Sequence, residues 1–309
     1  MITTVTMNAS IDKAYHMDKE IVNGTVMRVA TCKNSAGGKG LNVSRVIKLC
    51  GQEVLATGLV GGYNGKYLES LLDEDKIPHK FVHVKGETRS CINILDSKYG
   101  STEYLEAGCM IEEEEEKEFL EVFKEIIKDS DVVAISGSVP KGLHKDIYQR
   151  MVSMCKDIGK KVLLDTSGEV LKNGIKTLPT LIKPNEDEMA MLLDKKIESI
   201  EKVVTAAKEL HEKGIEYVVV SLGKEGALLV CDEGVFHAKP PKVEVVNTVG
   251  CGDSMVGAFA VAFERNYSSE EALKYAIAVG TANALSPNTG DFDPAVCEKI
   301  LSQVELKRL

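Results

Sequence analysis

The residues best equipped for chemistry sit in one short stretch, Val249-Gly250-Cys251-Gly252-Asp253-Ser254, where a glycine-rich turn runs straight into a carboxylate. A short β-type run is predicted over 243–246, and a helix of small residues is predicted to begin near Cys251. Glycine at 250 and 252 lets successive backbone N–H groups converge on one point, where the dipole of the following helix adds partial positive charge. Gly250, Cys251 and Gly252 therefore form a candidate anion hole. A carboxylate at its rim repels a bound phosphate unless it has another task, and Asp253 has one available: taking the proton from a hydroxyl that attacks that phosphate. With an ordinary aspartate pKa of about 4, Asp253 is expected to be ionised at neutral pH. The plainer alternative is a tight turn with a capping aspartate. The Cys251 thiol, at a helix N-terminus, is expected to have a lowered pKa, which opens redox or alkylation control as a hypothesis.

A second glycine cluster, Ala36-Gly37-Gly38-Lys39-Gly40-Leu41-Asn42-Val43-Ser44, precedes an apolar helical pattern. It matches neither the Walker loop nor the dinucleotide fingerprint, and the absence of the latter after the first strand disfavours a dehydrogenase. Gly38 permits close backbone approach to a ligand, Lys39 offers a point charge for a phosphate, and Asn42 can both donate to and accept from a sugar hydroxyl. A simple loop-to-helix joint is the alternative.

The elements that must position these residues alternate. Strands are predicted at 54–60, 131–136, 161–165, 180–183 and 217–221, with helices near 40–49, 112–128, 145–157 and 203–213. Continuous apolar runs such as Val132-Val133-Ala134-Ile135 suit a parallel sheet covered on both faces, so the fold class is α/β, a doubly wound and mostly parallel sheet flanked by helices. Two stretches, near 12–34 and 80–106, carry β-branched runs with no intervening helix and are read as insertions forming a small β-sheet lid on a single domain, residues 1–309. Ordinary surface hairpins are the alternative there. The acidic run Glu112 to Glu116 is read as a solvated helix start.

Composition sets the outer bounds. With 309 residues, 44% hydrophobic and 28% charged, the chain can bury a large core. No run approaches the roughly 18 apolar residues of a membrane span, and residues 1–7 read as a strand without a leader pattern, so a cytoplasmic protein with no membrane partner is expected. A net charge of −9 argues against a nucleic-acid partner but not against small phosphorylated ligands, which need only a local cluster of cations. Eight scattered cysteines and six scattered histidines show no metal-ligand spacing, so reduced thiols and no structural metal are expected.

The two glycine motifs together resemble the phosphofructokinase-B group of ribokinase-like carbohydrate kinases: the first its G-G-x-x-x-N sugar signature, the second its D-T-x-G-A-G-D catalytic signature. Further matches follow in family order. They are Thr6-Met7-Asn8-Ala9-Ser10-Ile11-Asp12, Gly86-Glu87-Thr88-Arg89, Gly137-Ser138-Val139-Pro140, Lys183-Pro184-Asn185-Glu186-Asp187-Glu188 and Ser221-Leu222-Gly223-Lys224-Glu225-Gly226. The resemblance implies a ribokinase-like fold, ATP and Mg²⁺, Asp253 as general base, and Gly250, Cys251 and Gly252 at the migrating phosphoryl group. It implies that Asp12, Gly38 and Asn42 hold the sugar, and that Lys39, Arg89 and Ser138 hold a phosphate already on it. A guanidinium can grip that phosphate bidentately. Arg28, on the first accessory strand, is a further phosphate candidate, for this subunit or a neighbouring one; a surface role is the alternative. On the nucleotide side it implies Lys183, Ser221, Gly223 and Gly226, with Asn283 near the adenine, and it implies that Asn185 and Glu188, three apart on one helical face, hold Mg²⁺ through water. Ala9, where the family usually has proline, and Cys251, where it usually has alanine or serine, depart from the pattern.

Within the family, segments 37–45, 85–89 and 136–143 look most like the group that contains 1-phosphofructokinases and tagatose-6-phosphate kinases. A ketohexose monophosphate is thus the implied acceptor, with 1-phosphofructokinase activity placed ahead of tagatose-6-phosphate kinase activity. A furanose ketohexose has a CH₂OH-type arm on each side of its ring oxygen, so one pocket can work in either order. A kinase of unphosphorylated sugars or nucleosides and a non-catalytic sugar-phosphate or nucleotide sensor are the competing functions. A homodimer through the lid is expected.

Overall fold

A computed structural model describes residues 1–98 and 100–309; Tyr99, inside the 80–106 insertion, lies outside the described residues. The chain opens with β1 (Ile2–Thr6), β2 (Ser10–His16) and β3 (Thr31–Gly37), then α1 (Lys39–Leu49), β4 (Val54–Gly61), α2 (Gly62–Glu74) and β5 (His79–Val84). β6 (Arg89–Asp96) and β7 (Gly100–Leu105) precede α3 (Glu113–Ile126), β8 (Val132–Ser136), α4 (Ile147–Asp157), β9 (Lys161–Asp165), α5 (Gly168–Gly174) and β10 (Leu181–Ile182). There follow α6 (Glu186–Leu193), α7 (Ile200–Glu212), β11 (Tyr217–Ser221), β12 (Ala227–Cys231), β13 (Gly234–Lys239), α8 (Cys251–Glu264), α9 (Ser269–Ala284), α10 (Pro294–Leu301) and β14 (Glu305–Arg308).

Among the described residues the larger sheet runs β14-β13-β12-β11-β10-β9-β8-β1-β4-β5. From β11 to β5 every pairing is parallel, with Ile2 of β1 opposite Val54 on one side and Val132 on the other. An antiparallel extension, β12 to β14, continues from β11 and was not expected from the sequence. The parallel strands are apolar on both faces because both are covered. Ile2, Val132, Ala134, Leu163 and Val219 pack with residues of α1, α2, α8, α9 and α10. Val5, Val133, Ile135, Leu164 and Val218 pack with α3, α4 and α7. At about 25 cal/mol per Å² of buried apolar surface, this double coverage is the main source of stability.

Helix α8 is enclosed almost all round, buried from Asp253 to Phe263, and packs between α1 and α9. Its small residues allow this: a side chain at Gly257 would place Cβ 2.8 Å from Val46 Cγ1. The predicted β-run at 243–246 is not a strand. It crosses the surface, with Val245 and Val246 53% and 60% exposed, since no sheet edge is available beside it.

The smaller sheet has the order β3-β2-β6-β7, drawn from the two expected stretches, except that 80–84 belongs to β5 at the edge of the larger sheet, where it pairs with β4. Its first part is shifted: the β-branched stretch 25–30 is loop, and 31–37 supplies the strand instead. The acidic run is also less solvated than expected. Glu115 closes a capping box with Glu112 and accepts from the Lys85 N–H, while buried Glu116 accepts from His144 and Arg150. No helix among the described residues is long and apolar enough to cross a membrane.

Candidate active site

The parallel strands deliver polar residues to one edge of the sheet. Asn8 follows β1, Gly137 and Ser138 follow β8, Asp165 ends β9, Lys183 follows β10 and Ser221 ends β11. The chain leaves β1 toward β4 in one direction and β8 in the other, which makes this edge the switch point where open α/β sheets bind ligands. A cleft of about 1230 Å³ runs between this edge and the smaller sheet. It brings together Asp12, Gly38, Lys39, Asn42 and Arg89 with Lys183, Asn185, Glu188 and Ser221, and with Gly250, Gly252 and Asp253.

Asp253 is the third residue of α8 and only 6% exposed. Its Oδ2 accepts a 2.8 Å hydrogen bond from Asn42 Nδ2. Burial is the largest influence on its pKa and raises it; Lys39 opposes this, Asp165 adds to it, and the balance stands at about 6. The ordinary value expected from sequence is thus corrected upward, although the carboxylate still predominates about tenfold at pH 7. The cap of α8 is Gly250, not Asp253, with φ +81°; a Cβ there would fall 2.6 Å from Thr289 Cγ2. In the first turn of the helix Cys251 N–H donates to Thr248 O at 3.3 Å, while Gly252 and Asp253 have no helical carbonyl four residues back, which leaves their N–H groups for a ligand.

Sequence reasoning missed Asp165. Its buried carboxylate lies between two ammonium groups, Lys183 Nζ at 3.4 Å from Oδ1 and Lys39 Nζ at 3.5 Å from Oδ2. Burial pushes its pKa up, but Lys183 and then Lys39 hold it below the ordinary value, and Asp165 in turn raises the pKa of Lys39. Lys183 also lies against the anion turn, 3.1 Å from where a Gly252 Cβ would sit. The available signal was a lone carboxylate ending the apolar run Lys161-Val162-Leu163-Leu164-Asp165.

On the lid side, Asp12 accepts a 2.6 Å bond from Ser10 Oγ, and burial raises its pKa. Its carboxylate occupies the place of a side chain at Gly37, where a Cβ would come within 2.0 Å of Asp12 Cγ. Arg89 donates from Nε and Nη2 to Asn8 O at 3.2 and 3.0 Å and from Nη1 to Glu106 O at 2.8 Å. Ser138 is exposed and does not line the cleft; its Oγ accepts from Asn8 Nδ2 at 3.2 Å, so Asn8 joins it to Arg89.

Several expected site residues lie elsewhere. Arg28 is exposed on the 17–30 loop, on no strand and outside the cleft. Gly223 and Gly226 do not line the cleft; Gly226 is required by the sheet, since a Cβ there would meet Ala238 O at 1.9 Å. Asn283 is fully buried behind the anion turn, donating to Val249 O and accepting from Gly290 N, and so faces no base. Cys251 is also set back; burial raises its thiol pKa, against the lowering expected from the helix terminus, and Asn283 Nδ2 lies 3.4 Å from its sulfur. Asn185 and Glu188 both line the cleft but are engaged with each other. Asn185 caps α6, its Oδ1 accepting from Glu188 N at 2.8 Å while Glu188 Oε2 accepts from Asn185 N at 3.0 Å.

Residues 5–295 match the pfkB family of carbohydrate kinases. The chain is 40% identical over 311 aligned residues to a tagatose-6-phosphate kinase of Staphylococcus epidermidis, covering 99% of both chains. Among solved structures, phosphofructokinase-2 from Escherichia coli in complex with potassium has a TM-score of 0.92 and 30% identity, with 98% of both chains covered. A possible 1-phosphofructokinase from Thermotoga maritima has a TM-score of 0.91 and 27% identity, covering 100% of this chain and 99% of that one. The chain belongs to the pfkB family of carbohydrate kinases.

Proposed function

We propose that this protein transfers the γ-phosphoryl group of ATP to a primary hydroxyl of a ketohexose monophosphate, forming the bisphosphate, with residues 1–309 acting as one kinase domain and the smaller sheet as its lid. The observation that carries this reading is the shared cleft: a buried carboxylate at an anion turn, two lysines held by one aspartate, and a further cation, Arg89, on the lid side. Asp12 and Asn42 hold sugar hydroxyls, and Arg89, with Lys39, holds the phosphate already present. Asp253 accepts the proton of the attacking hydroxyl as the O–P bond forms and the bond to ADP breaks. A weak base suffices, because a loose transition state demands little early proton removal. The N–H groups of Gly250 and Gly252, with Lys183, stabilise charge on the migrating group, and that of Cys251 joins them by giving up its 3.3 Å bond to Thr248 O; losing one preorganised donor costs about 3 kcal/mol in other enzymes.

Magnesium would offset phosphate charge. Glu188 fits it, because the cap engages only Oε2 and leaves Oε1 for a metal-bound water, whereas Asn185 already commits its Oδ1 to the cap. The 40% identical relative is a tagatose-6-phosphate kinase, which supports placing tagatose 6-phosphate ahead of fructose 1-phosphate and so reverses the order favoured from sequence. We also propose a homodimer through the lid, supported by exposed apolar residues there, Val26 at 97% and Tyr104 at 60%. Sedimentation as monomer alone at micromolar concentration would overturn that assembly.

The test is ADP release with Mg-ATP across tagatose 6-phosphate, fructose 1-phosphate, fructose 6-phosphate, ribose and adenosine, with Asp253→Asn as control. Turnover on a ketohexose phosphate, lost in the variant, is expected. Turnover on ribose or adenosine alone would overturn the roles given to Lys39 and Arg89.

A further inference from the structure

Arg45 closes the sugar-signature segment and is assigned no role by the reaction described above. It lies on α1, one helical turn beyond Asn42, with its side chain 15% exposed. Its Nη1 donates to Asn42 Oδ1 at 3.3 Å and to Thr289 O at 3.1 Å, and its Nη2 donates to Ala36 O at 2.7 Å. These acceptors belong to three different pieces of the site: helix α1, the end of lid strand β3, and the loop whose Thr289 packs against Gly250.

The chemistry of the Asn42 carboxamide gives this contact its meaning. A guanidinium has donors only, so the atom facing it must be the amide oxygen. The NH₂ group then faces Asp253, an ionised carboxylate that can only accept. Without a donor on the Oδ1 side, only the bond to Asp253 orients the amide, so its plane and position are no longer fixed and that bond weakens. We infer that Arg45 is a positioning residue for phosphoryl transfer: it locks the Asn42 carboxamide so that its NH₂ holds the Asp253 carboxylate in place for the acceptor hydroxyl. One hydrogen of that NH₂ remains for the substrate. This inference rests on the assignment of Asp253 as the base, but the coupling from Arg45 through Asn42 to Asp253 exists in the free protein and can be read without substrate.

The charged groups facing Asp253 are Lys39 from α1, Asp165 from β9 and Lys183 beyond β10; Arg45 is not bonded to it. A readout of Asp253 therefore separates relay through Asn42 from direct charge. The experiment is ¹³C-carboxylate NMR titration of Asp253, assigned with Asp253→Asn, in the wild type, Arg45→Met, Asn42→Ala and the double variant, with thermal unfolding alongside. Arg45→Met is expected to raise the Asp253 midpoint by about one pH unit, the size of one hydrogen bond to a charged group. Asn42→Ala should raise it equally, and adding Arg45→Met to Asn42→Ala should raise it no further. Where a sugar phosphate is turned over, the acid limb of kcat/KM should move by the same amount. An unchanged Asp253 midpoint in Arg45→Met, even with lowered stability, would reduce Arg45 to a structural tie and overturn the inference. An equal further shift in the Asn42→Ala background would overturn it too, by making Arg45 act through charge alone. Should no sugar phosphate be turned over by the wild type, the functional reading fails while the titration still decides the relay.

Discussion

Replacing Asp253 with asparagine is expected to make the protein more stable as it becomes inactive. The carboxylate is buried at the start of α8, and its pKa stands at about 6 against an ordinary 3.8. The folded state therefore holds this proton more tightly than the unfolded chain between those two values. By linkage, the contribution of Asp253 to stability falls as pH rises through that window, and the full penalty applies above it. Two pH units at about 1.4 kcal/mol each give roughly 3 kcal/mol at pH 8. A neutral amide avoids this penalty and can still accept from Asn42 through its oxygen. Urea unfolding followed by circular dichroism should thus show Asp253→Asn more stable than wild type by about 3 kcal/mol at pH 8 and by about 1 kcal/mol or less at pH 4.5. Turnover should fall by at least about a hundredfold, the usual scale for a lost general base. A variant no more stable than wild type at pH 8, or a gap that does not narrow in acid, would refute the burial-driven pKa.

Asp165→Asn should leave Lys39 and Lys183 repelling each other without their shared counter-ion. Steady-state kinetics should show kcat lowered by roughly tenfold or more, and urea unfolding a loss of about 3 kcal/mol, typical of breaking a buried ion pair from one side. Gly250→Ala forces a side chain into a left-handed φ and against Thr289, so kcat should fall at least about a hundredfold, the loss expected when anion-hole donors are misplaced; unchanged kcat would remove the turn from the mechanism.

The sheet was readable where burial on both faces leaves a continuous apolar run: the strands at 161–165 and 217–221 are found with the expected bounds. The run at 243–246 has the same residue types, but strand formation needs a partner edge, which is a property of the whole sheet. The strands β12 to β14 escaped notice because antiparallel additions at a sheet edge depend on the same non-local fit. In the site, residues of the glycine turns were legible because their backbone geometry is local. Asp165 was not, since it acquires meaning only from two lysines carried by other elements. Gly226 sits in a motif position and Asn283 was expected near the adenine, yet both serve the packing behind the cleft, a distinction that residue type alone does not carry. Cys251 illustrates two opposed local effects, and burial outweighs the helix dipole.

The bond between Asn42 and Asp253 joins positions 211 apart in the sequence. During synthesis from the N-terminus, the chain therefore acquires Lys39, Asp165 and Lys183 well before Asp253. The βαβ units that precede it can assemble first, but the apolar face of α1 stays open until α8, and after it α9, packs there. Until they do, the growing chain keeps an open apolar face and lacks Asp253. The proposed base thus joins the cleft only as that face closes, and the interval before α8 and α9 dock is when the nascent protein most needs protection from aggregation.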